Sequence, residues 1–319
     1  MFSVIIPLYN KAPYIEKAIY SILNQSFQEF EVIVVDDGST DRSWDKLEEI
    51  TYKLQVEYPE QYNKIVTLQQ QNQGVSVARN NGVNQAKYDY ITFLDADDWW
   101  SNSFLEKMKE LIAQFPDGGI YGSSYYKVKN EINYQAKIGV DDGFEIGYFD
   151  YCKAYSKSLW MPLWTGAVVI KKSVFLSLQG FNNQLKYGED FDLWMRIILK
   201  YPVVFLNTPL AFYNQDVEVQ HRAVGKKTDL EKHFLFHVDY LAEEEKNNQY
   251  LKQLLDNLRV YSFKTHYLDN TYRAQIRTEL NKVDWSNQPL KYKLYYAMPV
   301  AFLKLSSRLK VILLKFIDR

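Results

Sequence analysis

The 319-residue sequence has a single cysteine, Cys152, and no excess of charge of either sign. One thiol cannot form a disulfide within the chain, which is typical of a reducing compartment. Lys and Arg number 38 against 39 Asp and Glu, so the net charge of −1 gives no general affinity for nucleic acid. No apolar run approaches the ~18–20 residues of a membrane span, and the start, MFSVIIPLYN, lacks the features of a secretory signal. We therefore expect a cytoplasmic protein.

Strand-like and helix-like segments alternate through the first hundred residues. Short apolar runs typical of buried strands occur at 3–7, 30–37, 64–70 and 89–98, and amphipathic helical patterns separate them. This alternation predicts an α/β fold with a mostly parallel central sheet and flanking helices. Residues 118–170 carry shorter, mixed patterns rich in tyrosine, and the sequence is helical in character from about residue 228.

Acidic residues end two of the predicted strands. They are Asp36 and Asp37 at the end of the second strand, and Asp95, Asp97 and Asp98 at the end of the fourth. In open α/β sheets, ligands bind at the carboxyl ends of the strands. These carboxylates are therefore predicted to line one crevice although they are distant in sequence.

The stretch TFLDADDWW, residues 92–100, concentrates three of these acids. Carboxylates this close repel one another unless a cation holds them. Asp95 and Asp97, at alternate positions at a strand end, are suited to a hard divalent cation, because Mg²⁺ takes one or two carboxylates beside phosphate oxygens and water. The alternative interpretation is a solvated acidic turn.

Three further segments carry polar groups with two interpretations each. In VVDDGSTD the acids can accept hydrogen bonds from a base or a ribose, or residues 39–41 can cap a helix. In GVSVARNNG, Arg79 can neutralise a phosphate or be a solvated charge. In YGEDFDLWMR, a carboxylate can act as a general base, or the acids can favour a helix start through its dipole.

Taken together, these motifs and their order resemble the family 2 glycosyltransferases, which have the GT-A fold. The resemblance covers about residues 1–225 and rests on six segments: SVIIPLYNKAPYIEKAIYSILNQSF, EVIVVDDGSTD, NQGVSVARNNG, YITFLDADD, TGAVVIKKSVF and GEDFDLWMRI. It implies transfer of one sugar, with inversion, from a nucleotide-diphosphate sugar, most often UDP-based, to a hydroxyl acceptor. Lipid-linked or polysaccharide intermediates of the cell envelope are the acceptors that the family leads us to expect.

The resemblance also implies which residues bind the nucleotide. Pro7 and Tyr9 would line the nucleoside pocket. Asp37 would hold the base, with Asp36 as the alternative, and Arg79 would lie near the nucleotide.

Metal and catalytic roles follow from the same resemblance. Asp97 would be the principal ligand of Mn²⁺ or Mg²⁺, and Asp95 would face the ribose or the metal. His221 lies where some members place a metal-facing residue, although an ordinary loop histidine is the alternative. Asp190 would be the catalytic base, with its neighbour Glu189 as the second candidate.

Domain boundaries follow the extent of the resemblance. We expect a glycosyltransferase domain over 1–225, with a nucleotide-binding half at 1–100 and an acceptor half at 101–225, and a helical extension over 226–319. The Q-x-x-R-W motif of processive members is absent from the sequence. This absence predicts addition of single sugars rather than synthesis of a polymer.

The C-terminal segment has the pattern of a basic amphipathic helix. Its apolar stripe consists of Phe302, Leu305, Leu309, Ile312, Leu313 and Phe316. Its basic side chains are Lys304, Arg308, Lys310 and Lys315. Such a helix lies on anionic membrane surfaces, which would make the protein peripheral at the inner face of the membrane. Packing against protein is the alternative.

Two other functions stay open at this point. A sugar nucleotidyltransferase would need a glycine-rich loop after the first strand, where this chain reads PLYNKAP. A non-catalytic carbohydrate-binding protein would need neither paired metal-binding acids nor a base. Nucleotide binding that depends on a metal would distinguish an enzyme from such a binding protein.

Overall fold

The computed structural model describes residues 1–218 and 229–305. The chain divides into two compact units, Met1–Phe234 and Leu235–Arg319. His221 and the tail positions from 306 onward lie outside the described residues.

The first unit is built on one sheet. Its strands are β1 Phe2–Leu8, β2 Phe30–Asp36, β3 Ile65–Gln69, β4 Tyr90–Phe93, β5 Trp99–Trp100, β6 Ile120–Lys129, β7 Ile132–Gln135, β8 Ile146–Tyr148, β9 Val168–Lys171 and β10 Val203–Asn214. The strand order is β3-β2-β1-β4-β9-β6-β10-β5, with β7 paired to β6 and β8 to β10. Strands β1 to β4 are mutually parallel, as the alternating sequence pattern predicts, and β9 joins β4 antiparallel.

Helices cover this sheet because each has one apolar face. In α1 the predicted stripe, which includes Ile15, Ile19 and Ile22, is fully buried. The α-helices of the first unit are α1 Ile15–Leu23, α2 Ser43–Glu57, α3 Pro59–Tyr62, α4 Val75–Gln85, α5 Phe104–Gln114, α6 Tyr151–Ser158, α7 Lys172–Ser177 and α8 Glu189–Ile198.

The fourth strand is shorter than the sequence predicts. It was expected to run through residue 98, but it ends at Phe93, and a tight turn follows in which the Asp98 amide donates to the Asp95 carbonyl at 3.0 Å. The two tryptophans after the acids then form β5, which pairs antiparallel with β10. The acids therefore lie on a turn beyond the strand end.

Residues 118–171 and β10 add the second half of the sheet. Because β4 and β6 both run antiparallel to β9, they are parallel to each other, and β10 is parallel to β6. The carboxyl ends of β6 and β10 consequently lie at the same edge as those of β1, β2 and β4.

The second unit is helical in its described part, as predicted. Its buried Arg259 is 1% exposed and forms ion pairs with Glu245, Asp256 and Glu279. The α-helices are α9 Ala242–Asn247, α10 Gln249–Ser262, α11 Arg273–Leu280 and α12 Leu290–Ala297. Across 1–218 and 229–305, no helix has the length and apolarity needed to cross a membrane.

Candidate active site

The Asp95–Asp98 turn projects from the carboxyl edge of the sheet. Asp98 is buried, and its Oδ1 accepts from the Asn214 amide at 2.7 Å, which fixes the turn to the end of β10. Asp97 Oδ2 accepts from the Lys11 ammonium. Burial raises the pKa of Asp98 well above its usual range, with repulsion from Asp97 and Asp95 as further causes. Burial also raises the pKa of Asp97, and Lys11 opposes that rise.

Arg79 joins three of the predicted motifs. It lies on α4, is 4% exposed, and places Nη2 at 2.7 Å from Asp95 Oδ1 and Nη1 at 3.2 Å from Glu189 Oε1. Its Nε is buried without a hydrogen-bond partner. The guanidinium fork can hold two acids at once because its N–H groups diverge in one plane. The structure thus brings Arg79, Asp95 and Glu189 together, as a common crevice requires.

Glu189 and Asp190 open α8. The helix follows Gly188, which has φ +78°, a value that favours glycine, and a Cβ there would lie 2.0 Å from Phe234 Cδ1. Asp190 Oδ1 accepts from the Phe191 amide at 2.7 Å. Both carboxyl groups therefore sit at the helix N-terminus, where the dipole favours negative charge.

The acid pair has an elevated affinity for protons. Burial, followed by repulsion from Asp190, raises the pKa of Glu189 to about 7, against the attraction of Arg79. Burial also raises the pKa of Asp190, whose Oδ2 accepts from Thr165 Oγ1 at 3.4 Å. A carboxylate with a raised pKa is a stronger base, which suits proton transfer near neutral pH.

Asp36 and Asp37, at the end of β2, bind a different set of groups. The carboxylate of Asp37 accepts from the amides of Gln73 and Gly74 and from Gln70 Nε2, each at 2.8 Å. Asp36 is fully buried and accepts from the Ser39 amide at 3.3 Å and from Gln69 Nε2 at 3.4 Å. Both acids therefore organise the loops around the proposed nucleoside pocket.

The remaining nucleoside candidates lie on and just after β1. Pro7 is part of β1, and Tyr9 follows it with 42% exposure. The helix-capping alternative for residues 39–41 is not realised in that form, because the N-cap of α2 is Arg42, which makes no side-chain capping hydrogen bond; Asp41 Oδ1 instead accepts from the Ser43 backbone amide at 2.9 Å. Asn10 Oδ1 accepts from the Thr40 amide at 2.8 Å and ties the two loops together.

The two tryptophans after the acids are packing residues in large part. Trp100 is 4% exposed, and its Nε1 donates to the Gly166 carbonyl at 2.6 Å. Trp99 is half-buried, stacks on Phe212 with a centroid distance of 5.5 Å, and receives the Lys17 ammonium on its ring. These contacts favour the packing interpretation over stacking on a sugar.

Several site residues escape sequence reasoning. Lys11 resembles an ordinary solvated lysine at a helix start, and Thr165 belongs to a short 3₁₀ segment, Thr165–Ala167. Tyr125, Tyr151 and Tyr155 lie near Asp190: burial is the main cause that raises the pKa of each hydroxyl, and the Asp190 charge contributes. The only signal for these tyrosines is the high tyrosine content of residues 118–170.

No group of three or more His, Cys, Asp or Glu side chains in the described part of the chain is arranged to hold a metal ion. The oxygen ligands that Asp95 and Asp97 offer are nevertheless the type that Mg²⁺ and Mn²⁺ accept. A cation at this turn would therefore need further oxygen ligands from substrate and water. In the structure, Lys11 and Arg79 neutralise these two acids.

Comparison with known proteins connects this arrangement to a family. The profile described as Glycosyl transferase family 2 matches residues 3–177, more than half of the chain. Glycosyltransferase GlyA of Streptococcus pneumoniae is 32% identical over 146 residues, 46% of this chain and 20% of GlyA. Amylovoran biosynthesis glycosyltransferase AmsB of Erwinia amylovora is 27% identical over 276 residues, 85% of this chain and 84% of AmsB. The chain thus spans only a fifth of GlyA but most of AmsB.

A solved structure supports the fold. The crystal structure of S. aureus TarS 1-349 in complex with UDP-GlcNAc superposes with a TM-score of 0.69, at 21% identity, over 88% of this chain and 79% of that chain. At this level of identity the similarity concerns the fold alone. It confirms the predicted α/β architecture with a helical C-terminal region.

Proposed function

The chain belongs to glycosyl transferase family 2, and on this premise we propose that it transfers one sugar, with inversion, from a UDP-sugar to a hydroxyl acceptor. The observation that carries the proposal is the bridge from Asp95 through Arg79 to Glu189. This bridge couples the acids of the nucleotide-binding half to the acid pair at the start of α8. We assign the reaction to residues 1–225 and regard residues 226–319 as a helical extension.

Asp190 is the base in this proposal. Glu189 is held by Arg79, whereas Asp190 Oδ2 accepts a long hydrogen bond of 3.4 Å from Thr165. The acceptor hydroxyl would give its proton to Asp190 as its oxygen forms the bond to the anomeric carbon. The bond between that carbon and the phosphate oxygen breaks on the opposite face, and UDP leaves. Attack opposite to the leaving group inverts the configuration.

The nucleotide would occupy the loops that follow β1 and β2. Tyr9 is exposed enough to meet a base, Pro7 lies beside it, and Asp36 and Asp37 hold the surrounding loops. Arg79 would contribute positive charge toward the diphosphate. The TarS complexes with UDP and with UDP-GlcNAc support a uridine nucleotide as the donor here.

A divalent cation fits this site on the chemistry of its donors. Asp97 and Asp95 would hold Mn²⁺ or Mg²⁺, with Lys11 released from Asp97. When bound, the ion supplies positive charge that stabilises the leaving diphosphate. The protein's own part is to fix the turn through the Asn214–Asp98 hydrogen bond and to keep Arg79 beside Asp95.

The acceptor is proposed as a lipid-linked or polysaccharide intermediate of envelope assembly. This part of the proposal is supported by the similarity to AmsB, which is named as a glycosyltransferase of amylovoran biosynthesis. Membrane contact through the tail from Pro299 onward would bring the enzyme to such an acceptor at the cytoplasmic face. The apolar stripe and the lysines and arginine of the tail support this part of the proposal.

The test is a donor screen. UDP-, GDP- and dTDP-sugars are incubated with the full chain and Mn²⁺, and the release of nucleoside diphosphate is measured with and without EDTA. The proposal expects UDP release that requires the metal and falls in Asp190→Asn, with exposed Asp142→Asn as the matched control. Binding of UDP without any turnover would instead indicate a non-catalytic binding protein. In a separate incubation with UTP and a sugar 1-phosphate, release of pyrophosphate would indicate a nucleotidyltransferase.

A further inference from the structure

A cavity lined by lysine side chains lies at the same edge of the sheet as the candidate active site. It has a volume of about 470 Å³ and is formed by the β6–β7 hairpin and the segment that follows α6. Three of its lining residues are lysines, Lys127, Lys129 and Lys137, and two are aromatic, Tyr134 and Trp160. Among the described residues, no acidic side chain lines it.

The cavity is connected to the proposed base through β6. Tyr125 and Lys127 project from the same face of the strand because side chains alternate. Tyr125 packs against Trp164 at a centroid distance of 5.2 Å and donates to the Met161 carbonyl at 3.1 Å. Lys127 places its ammonium 3.6 Å from the centroid of Trp160.

The segment that Tyr125 and Lys127 contact continues to the base. Residues 160–164 run directly into Thr165, whose hydroxyl donates to Asp190 Oδ2. A glycan that presents a hydroxyl at Asp190 can therefore extend along this segment toward the three lysines. The cavity is thus placed where the non-reacting part of an acceptor would lie.

No carboxylate of the described residues pairs with the lysines of the cavity. Within residues 1–218 and 229–305, none of the three lysines forms an ion pair with a carboxylate. Burial lowers the pKa of Lys127, so its positive charge is costly in the absence of an anion. The nearby Asp216 uses its carboxylate for the backbone amides of Asn130 and Glu131 at the hairpin turn.

We propose that this cavity is an acceptor subsite for a glycan that carries negative charge, either phosphate or carboxylate. The lysines would bind the oxyanion, and the half-exposed ring of Tyr134 would pack against a sugar. Asn133 and Gln135 add amide groups that can bond sugar hydroxyls. The inference rests on the proposed function, because it concerns the acceptor of that reaction.

The experiment measures binding of three probes to the full chain by isothermal titration at low and high salt. The probes are a glycerol phosphate oligomer, a polyglucuronate oligomer and a neutral glucan of matched length. Each is titrated into the wild type, into K127Q/K129Q/K137Q, and into the control K53Q/K107Q/K246Q, which removes the same charge from exposed positions. UDP binding and thermal stability are measured for every variant.

We expect the wild type and the control to bind at least one anionic probe. In the cavity variant the affinity for that probe should be at least about tenfold lower, and high salt should weaken the binding. Preference between the phosphate and uronate probes identifies the source of the charge. Three results would overturn the proposal. The cavity variant and the control could bind the anionic probes equally well, the wild type could bind the neutral glucan as tightly as the anionic probes, or the wild type could bind neither anionic probe. If the wild type does not bind UDP, the result would instead count against the proposed function.

Discussion

Glu189 is held to Arg79 by a contact of 3.2 Å between Oε1 and Nη1, whereas its neighbour Asp190 points to Thr165. Adjacent acids at one helix start thus have different partners. The acid paired with a fixed cation stabilises the site, and the acid beside it is better placed to accept a proton. This difference is the basis for the assignment of the two roles.

Substitution of the pair tests that assignment. Asp190→Asn keeps the shape and removes the proton acceptor, so kcat should fall at least ~10²-fold, the scale of general-base catalysis, with little change in UDP affinity. Glu189→Gln weakens the Arg79 contact and should affect UDP affinity or KM as well as kcat. Steady-state kinetics and UDP titration distinguish the variants. A nearly normal Asp190→Asn beside an inactive Glu189→Gln would reverse the roles.

The fold of the first hundred residues follows from local sequence, since a buried parallel strand such as β2 is nearly all apolar and its ends are marked by acids and glycine. The second half of the sheet does not follow from local sequence. Its strand β6 contains glycine, serines and tyrosines, and it is held by pairing with β9 and β10, which are distant in the chain. The sequence predicts that Arg79 and Glu189 lie in the same crevice, but not that they form an ion pair. It does not predict the ion pair of Lys11 with Asp97, because the two residues are 86 positions apart.

The pH dependence of turnover should have an ascending acidic limb. The base acts as a carboxylate, and the pKa of Glu189 is raised to about 7 and that of Asp190 above its usual value. The ionised fraction of the pair therefore increases as pH rises through these values, and kcat/KM should rise with it and then level off. A profile of kcat/KM from pH 5 to 9 measures this. Glu189→Gln should move the limb to lower pH, because it removes the group whose pKa is raised to about 7 by burial and by the Asp190 charge. A limb that stays in place would contradict the participation of Glu189 in it.

Lys11 should compete with a metal for Asp97. Removal of its ammonium in Lys11→Met leaves Asp97 without that cation, so Mn²⁺ affinity in the absence of donor should rise by about 1 kcal/mol, roughly fivefold. Titration followed by Mn²⁺ electron paramagnetic resonance measures free and bound ion directly. Asp97→Ala should abolish the binding, and exposed Lys53→Met should leave it unchanged. Unaltered Mn²⁺ affinity in Lys11→Met would argue that the ammonium and the ion do not share Asp97.

The tail should bind anionic membranes. Its apolar stripe would enter the interface, and each basic residue near anionic lipid would add ~1 kcal/mol, so binding should weaken in high salt without being lost. Co-sedimentation with anionic liposomes compares the full chain with residues 1–298. If both remain in the supernatant, the tail contacts protein instead, and its removal should lower thermal stability or change the oligomer size measured by light scattering.

Gly188→Ala should destabilise the start of α8 for two separable reasons. The backbone there has φ +78°, which costs a residue with a Cβ roughly 1–2 kcal/mol, and the new methyl group would lie 2.0 Å from Phe234 Cδ1. Displacement of that ring should add roughly 1–3 kcal/mol. Gly143→Ala is the matched control, since Gly143 has φ +77° and open space around its Cβ position. Denaturant unfolding should therefore show a clearly larger loss for Gly188→Ala than for Gly143→Ala. Equal losses would mean that Phe234 yields without cost, in which case the glycine is required for its backbone conformation alone.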